Sequence, residues 1–294
     1  MKITVFTPTY NRAYIIEQLY ESLSRQTYHD FEWLVVDDGS SDNTEALFRK
    51  LQDECIQFPI RYYKKENGGK CRAINYALDL AEGELFFTVD SDDYLTNDAL
   101  EKLAEWEKQL PKNQKFCGIA GNLGTSETET VNRLFDDEYY EGTLLDRYNV
   151  VNGERAIAIY TDIHKKYRYP EFEGEKFMTE AVVWNRIAND GYKMRFYNDI
   201  IWIYEYREDG LTKSGNRLFV NNPKGYGLWL KEKDIFEKKS IIQKLKTIYC
   251  FTCELQKQYK MSEIADAIFA PVALIKIMLT GHKILNFVRK KRKI

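Results

Sequence analysis

Along the first hundred residues, short unbroken apolar runs alternate with stretches whose apolar positions recur every three or four residues. The runs Lys2–Thr7, Phe31–Val36, Ile60–Lys64 and Glu84–Val89 predict buried strands. Between them the spacing predicts helices over Arg12–Arg25, with Ile15, Ile16, Leu19 and Leu23 on one face, over Asp42–Gln52, and over Lys70–Ala81. Such alternation implies a mostly parallel sheet covered by helices. A further helix is expected over Asn97–Gln109 and a strand over Phe116–Ala120. From Asn122 to Glu175 the pattern fades into Asp, Glu, Tyr and Gly, which reads as irregular. A helix then starts near Thr179 and runs through Val182, Val183, Trp184 and Ile187, and Arg195–Tyr204 reads as strand. From about Lys231 the chain reads as helical to its end.

In sheets of this kind ligands collect at the carboxyl ends of the strands. All four predicted strand ends carry polar groups there: Thr7-Pro8-Thr9-Tyr10-Asn11-Arg12, Asp37-Asp38-Gly39-Ser40-Ser41, Glu66-Asn67-Gly68-Gly69-Lys70, and Asp90-Ser91-Asp92-Asp93. The last is the most informative. Carboxylates crowded at one strand end repel unless a cation lies between them, and oxygen ligands suit a hard divalent ion such as Mg²⁺ or Mn²⁺. Such ions take one or two carboxylates and leave other positions to phosphates, so the run suggests a metal–diphosphate site. The same letters also suit a strand-to-helix loop with an Asp or Ser cap.

Composition narrows the field. The hydrophobic fraction of 44% supports a substantial core, and a net charge of −2 gives no pull toward nucleic acid. Five scattered cysteines argue for a reducing compartment, and the lone Cys250/Cys253 pair lacks the ligands of a zinc site. The N-terminus opens into a strand without a signal peptide's apolar core. No acidic residue follows Asp266, and Arg289-Lys290-Lys291-Arg292-Lys293 makes a basic tail suited to an anionic membrane surface. The expected location is cytoplasmic, peripheral on the inner face of the membrane.

The four loops, in their order and spacing, resemble those of the inverting glycosyltransferases of family 2. The resemblance is firm over about the first hundred residues and looser over the next hundred. It implies the GT-A fold, an α/β/α sandwich with a mainly parallel central sheet. The catalytic domain would span 1–230, as a nucleotide-binding half (1–95) and an acceptor half (96–230), with a basic helical extension over 231–294. The implied activity is transfer of a sugar from a nucleoside diphosphate sugar, with UDP the expected nucleotide, to a hydroxyl of a glycan or lipid-linked glycan acceptor in surface polysaccharide synthesis. Absence of the Gln-x-x-Arg-Trp motif points to addition of a single sugar.

By the same resemblance Asp92 is a direct ligand of Mn²⁺ or Mg²⁺, and Asp90 contacts ribose or the metal, with Ser91 between them. Asp37 would accept the base N–H, while Thr7, Pro8 and Tyr10 wall the nucleoside pocket. Lys70, with Arg72 as its rival, would contact phosphate or nucleoside, and Arg207 would meet the diphosphate. Glu180 stands where the family carries its general base, although Thr179-Glu180 replaces the usual Glu-Asp pair; Glu175 is the alternative. Acidic residues in a first helical turn also simply complement the helix dipole. Two rivals remain: a catalytically inactive relative that binds nucleotide sugar or a partner enzyme, and a sugar-phosphate nucleotidyltransferase. The latter needs a glycine-rich, arginine-bearing first loop, which this chain lacks. The GxGxxG turn of nicotinamide enzymes is also missing.

Overall fold

The computed structural model describes residues 2–146, 149–151, 153–205, 207 and 215–291, with side chains as far as residue 281. The chain forms two compact units, Met1–Arg168 with Arg186–Glu208 and Tyr169–Asn185 with Asp209–Ile294.

The first unit opens with β1 (Ile3–Thr9), α1 (Glu17–Ser24), β2 (Phe31–Asp37), α2 (Thr44–Glu54), β3 (Ile60–Lys64), α3 (Lys70–Leu80) and β4 (Leu85–Thr88). It continues through β5 (Tyr94–Leu95), α4 (Ala99–Lys108), β6 (Phe116–Gly124), β7 (Tyr139–Gly142), β8 (Ala156–Tyr160) and α5 (Thr161–His164). Helix α6 (Ala181–Asn189) leads into β9 (Lys193–Ile203). The sheet order is β3-β2-β1-β4-β8-β6-β9-β5, with β7 paired to β9.

Strands β3, β2, β1 and β4 are parallel, as the alternation predicted. The other half is mixed: β8 runs antiparallel to both β4 and β6, so "mainly parallel" describes only the first half. The stretch expected to be irregular thus supplies an interior strand. Its signal was the five-residue run Ala156-Ile157-Ala158-Ile159-Tyr160, too short to stand out until its two neighbours pair with it. Helix α1 is shorter than its apolar pattern because Arg12 O accepts from both Ile15 N and Ile16 N, closing a turn before the helix.

Alternate strand residues fill a core against α1, α2 and α4, in which Val5, Leu19, Trp33, Phe48 and Phe87 are fully buried. Burying side chains of this size contributes about 1.5–3 kcal/mol each. At the amino edge of the sheet, Glu32 is buried and satisfied by Thr4 Oγ1 (2.7 Å), Arg61 Nη1 (2.8 Å) and Glu82 N (2.8 Å). That edge is therefore closed by its own hydrogen bonds.

The second unit carries α7 (Asn216–Val220), α8 (Pro223–Phe236), α9 (Ile241–Leu255), α10 (Met261–Ala267) and α11 (Val272–Lys291). Phe251, Leu255, Ile264 and Ile275 form its buried centre. A boundary at residue 230 would fall inside α8. Among the described residues no single helix is long and apolar enough to cross a membrane; α10 and the first half of α11 pass that test only as a pair bent by 116°. All five cysteines are free thiols.

Candidate active site

The loops at the carboxyl edge of β1, β2 and β3 are tied to one another. Asp38 N donates to Thr9 O (2.8 Å) and Lys65 N to Asp37 O (2.9 Å). Asn11, at φ 54°, accepts Ser41 N on its side-chain oxygen (2.8 Å), and its own N–H donates to Ser40 Oγ (2.8 Å). Asp38 Oδ1 accepts from Lys65 Nζ and Gly68 N, both at 2.8 Å, and its Oδ2 accepts from Gly69 N at 2.7 Å. Two glycines make this possible. Gly69 lies at φ +94°. Gly39 lies at φ +86°, where a Cβ would stand 3.0 Å from Asn67 N.

Asp37 is fully buried. Its Oδ1 accepts Ser40 N (2.7 Å) and its Oδ2 accepts the Tyr62 hydroxyl. Both Asp37 oxygens are thus engaged within the turn and with the neighbouring strand. Burial and that carboxylate together raise the Tyr62 pKa, keeping its proton on the hydroxyl. Thr7 is fully buried and its hydroxyl accepts Trp33 Nε1 at 3.0 Å, which ties it into the core. Pro8 is half-buried and Tyr10 is 50% exposed at the same strand end. Neighbouring Thr9 is buried, and its hydroxyl has no partner among the described residues.

The loop after β4 is different in kind. The Asp90 side chain is 39% exposed and meets Lys70 Nζ at 2.7 Å. The Asp92 side chain is 21% exposed, with Arg12 Nη2 at 3.9 Å. Burial, and then the charge of Asp90, push the Asp92 pKa up. The loop is fixed from both sides. Gln18 Nε2 donates to Asp92 O (2.7 Å), and Val89 N to Phe6 O (2.8 Å). Ser91 is buried.

Asp93 acts as a clamp. It is 4% exposed and accepts Trp202 Nε1 at 2.8 Å and Glu205 N at 3.1 Å, joining the acidic loop to the exit of β9. Both donors favour the carboxylate. Burial and the Asp90 charge outweigh them and push its pKa up to about 7. Arg207 follows two residues after Glu205 and pairs with its carboxylate. The rest of the segment expected around it, Tyr206 and Glu208 to Thr212, lies outside the described residues.

Asp90 and Asp92 are the carboxylates that would hold the divalent ion expected from the sequence. Among the described residues no group of three or more His, Cys, Asp or Glu could do so. A two-carboxylate, all-oxygen donor set with raised Asp92 basicity fits Mg²⁺ or Mn²⁺ that completes its sphere with phosphate and water.

In the second unit, Glu175 is committed elsewhere. Its two oxygens accept Lys224 N (2.7 Å) and Gly225 N (2.9 Å), capping the start of α8. Glu180 stands one residue before α6, half-buried, and its carbonyl accepts Val183 N and Trp184 N. Thr179 Oγ1 accepts Ala181 N at 3.3 Å at the same helix start.

Comparison with known proteins places this arrangement. The family model described as Glycosyl transferase family 2 matches residues 4–168, which takes in all four loops. This chain belongs to glycosyl transferase family 2. It is 26% identical over 268 residues to the GalNAc(5)-diNAcBac-PP-undecaprenol beta-1,3-glucosyltransferase of Campylobacter jejuni, covering 89% of this chain and 81% of that protein. It spans only 32% and 33% of the length of two other curated relatives. The structure of Staphylococcus aureus TarS 1-349 in complex with UDP-GlcNAc superposes with a TM-score of 0.62 at 18% identity, over 96% of this chain and 92% of that one. The mannosyltransferase PcManGT of Pyrobaculum calidifontis, in complex with GDP-Man and Mn2+, gives 0.56 at 18% identity, over 96% of this chain and 79% of that one. The family-2 chain thus has the GT-A fold, with helices at its C-terminal end.

Proposed function

We propose that the chain transfers a single sugar, with inversion, from a nucleoside diphosphate sugar to a hydroxyl of a glycan or lipid-linked glycan in surface polysaccharide synthesis. Uridine is the proposed base; one fold relative is in complex with UDP-GlcNAc. The observation that carries the reading is the pair Asp90 and Asp92, partly exposed at the end of β4 between Lys70 and Arg12.

Asp90 and Asp92 would hold Mn²⁺ or Mg²⁺, supported by the Mn2+ in one fold relative. Once bound, the ion neutralises charge that grows on the departing diphosphate. Lys70, released from Asp90, and Arg207 offer further positive charge to the same phosphates. Tyr10 presents an exposed ring for the nucleoside, and Pro8 backs it. Glu180 takes the proton of the acceptor hydroxyl as its oxygen bonds to the anomeric carbon. The bond from that carbon to the diphosphate oxygen breaks, and the nucleoside diphosphate leaves with its electron pair.

The reading also places the second unit on an anionic membrane, as a lipid-linked acceptor requires. The basic side chains at the C-terminal tail lie outside the described residues, yet α9 gives separate support. Ile241 and Ile242 are 70% and 76% exposed at its start, and four lysines but no acid lie between Lys238 and Cys253. The C. jejuni relative is named for an undecaprenol-linked acceptor.

A transfer assay across nucleotide sugars, with Mn²⁺ or with chelator, tests the function. Product from a UDP-sugar only with metal, with inverted anomeric configuration by NMR, is expected. Glu180→Gln should keep donor binding and lose transfer.

A further inference from the structure

Arg155 immediately precedes β8. Because β8 runs antiparallel to β4, its first residue lies at the edge of the sheet where β4 ends and Asp90 begins. Ala156 is anchored there by pairing with Gly121 of β6. The Arg155 side chain is only 7% exposed.

Its guanidinium is half used. Nη2 donates to Arg133 O at 2.9 Å and to Val151 O at 3.0 Å, and Cζ lies 4.9 Å from the centre of the Phe135 ring. Nε and Nη1 are buried and have no hydrogen-bond partner among the described residues. Among the described residues no carboxylate pairs with it, and burial depresses its pKa to about 10. An unpaired buried cation with unmet donors is destabilising, and two carbonyl contacts would not retain it. The contrast with Arg195 is direct, since Arg195 is equally buried but lies against Glu141 at 2.6 Å. Arg155 has the charge and the free donors of a residue that receives its anion from outside the chain.

We infer that Arg155 is a donor-binding residue whose Nε and Nη1 take an anionic oxygen of the nucleoside diphosphate sugar, on the β-phosphate or on an acidic sugar ring. The inference rests on the glycosyltransferase reading and adds to it a residue outside the four loops. Arginine suits either oxygen, because its donors are fixed in a plane and its charge persists at working pH.

The test is calorimetric titration of the full chain in Mn²⁺ with uridine, UMP, UDP, UDP-glucose and UDP-glucuronic acid, comparing wild type, Arg155→Gln and Arg155→Lys. For a β-phosphate contact, Arg155→Gln should leave uridine and UMP within about twofold and weaken UDP and both UDP-sugars by about tenfold or more. A loss confined to UDP-glucuronic acid would assign the sugar carboxylate. Arg155→Lys should recover part of the loss and serves alone if the Gln variant does not fold. Unchanged affinity for all five ligands, or an equal loss that includes uridine, would overturn the inference. A wild-type chain that binds no UDP would overturn the glycosyltransferase reading instead.

Discussion

Two acidic loops stand at the same edge of one sheet, and their carboxylates have opposite fates. After β2, Asp37 and Asp38 are consumed by the chain itself: Tyr62, Ser40, Lys65, Gly68 and Gly69 supply donors to their oxygens. After β4, Asp90 and Asp92 are partly exposed, Asp90 beside Lys70 and Asp92 beside Arg12. A carboxylate filled by backbone N–H groups is a strut, because removing it strands buried donors. A carboxylate such as Asp92, whose pKa is raised first by burial and then by a neighbouring like charge, gains from a bound cation. Residue type does not separate the two loops; the number of donors the fold aims at each oxygen does.

The comparison is easiest to break at its extremes. Asp92→Asn should lower transfer by on the order of 10³-fold or more, since it removes a metal ligand, while the thermal midpoint holds or rises because a disfavoured charge has gone. Asp38→Ala should do the reverse in kind. Its loss strands Gly68 N and Gly69 N and removes the ion pair of Lys65, so urea unfolding should show a destabilisation of about 3 kcal/mol. If Asp38→Ala unfolds at the wild-type midpoint, the strut assignment fails.

The clamp between the loops and β9 gives a pH signature. In the unfolded chain Asp93 titrates near the ordinary value of about 3.9. Folded, it keeps its proton to about pH 7. Between those values the folded state binds more protons, so stability falls as pH rises through the window. The fall should be about 1–3 kcal/mol in unfolding free energy, and Asp93→Asn should flatten that part of the profile. The smallest effect concerns Lys70. Lys70→Met frees Asp90 from an ammonium at 2.7 Å, so Mn²⁺ alone should bind several-fold more tightly by calorimetry even as UDP with Mn²⁺ binds less well.

How much of this was legible in the sequence follows the same division. The parallel half could be read because each of its strands is an apolar run ended by a polar loop, and the ladder β3-β2-β1-β4 uses those runs with shifts of a residue or two. Strand β8 could not, since five residues acquire their meaning only from β4 and β6 on either side. Among site residues, Asp90 and Asp92 stood out by crowding. Asp37 looked like their equal, but its partner Tyr62 comes from the neighbouring strand and closes it off. Sequence ranked Glu180 above Glu175 by position alone, and could not show that Lys224 and Gly225, some fifty residues on, use Glu175 as a helix cap. Arg155 carried no local signal, because what marks it is that Nε and Nη1 of a buried cation have no partner among the described residues.

The central claim is that Asp90 and Asp92 are left open by the fold so that a divalent ion can join them to a diphosphate. Titrating UDP into the wild-type chain and into Asp92→Asn, each in Mn²⁺ and in chelator, tests it most directly. The account predicts a wild-type gain in affinity of about tenfold or more with Mn²⁺, and its disappearance in the variant. Equal UDP affinity in Mn²⁺ and chelator for the wild type, or a full gain surviving in Asp92→Asn, would contradict it.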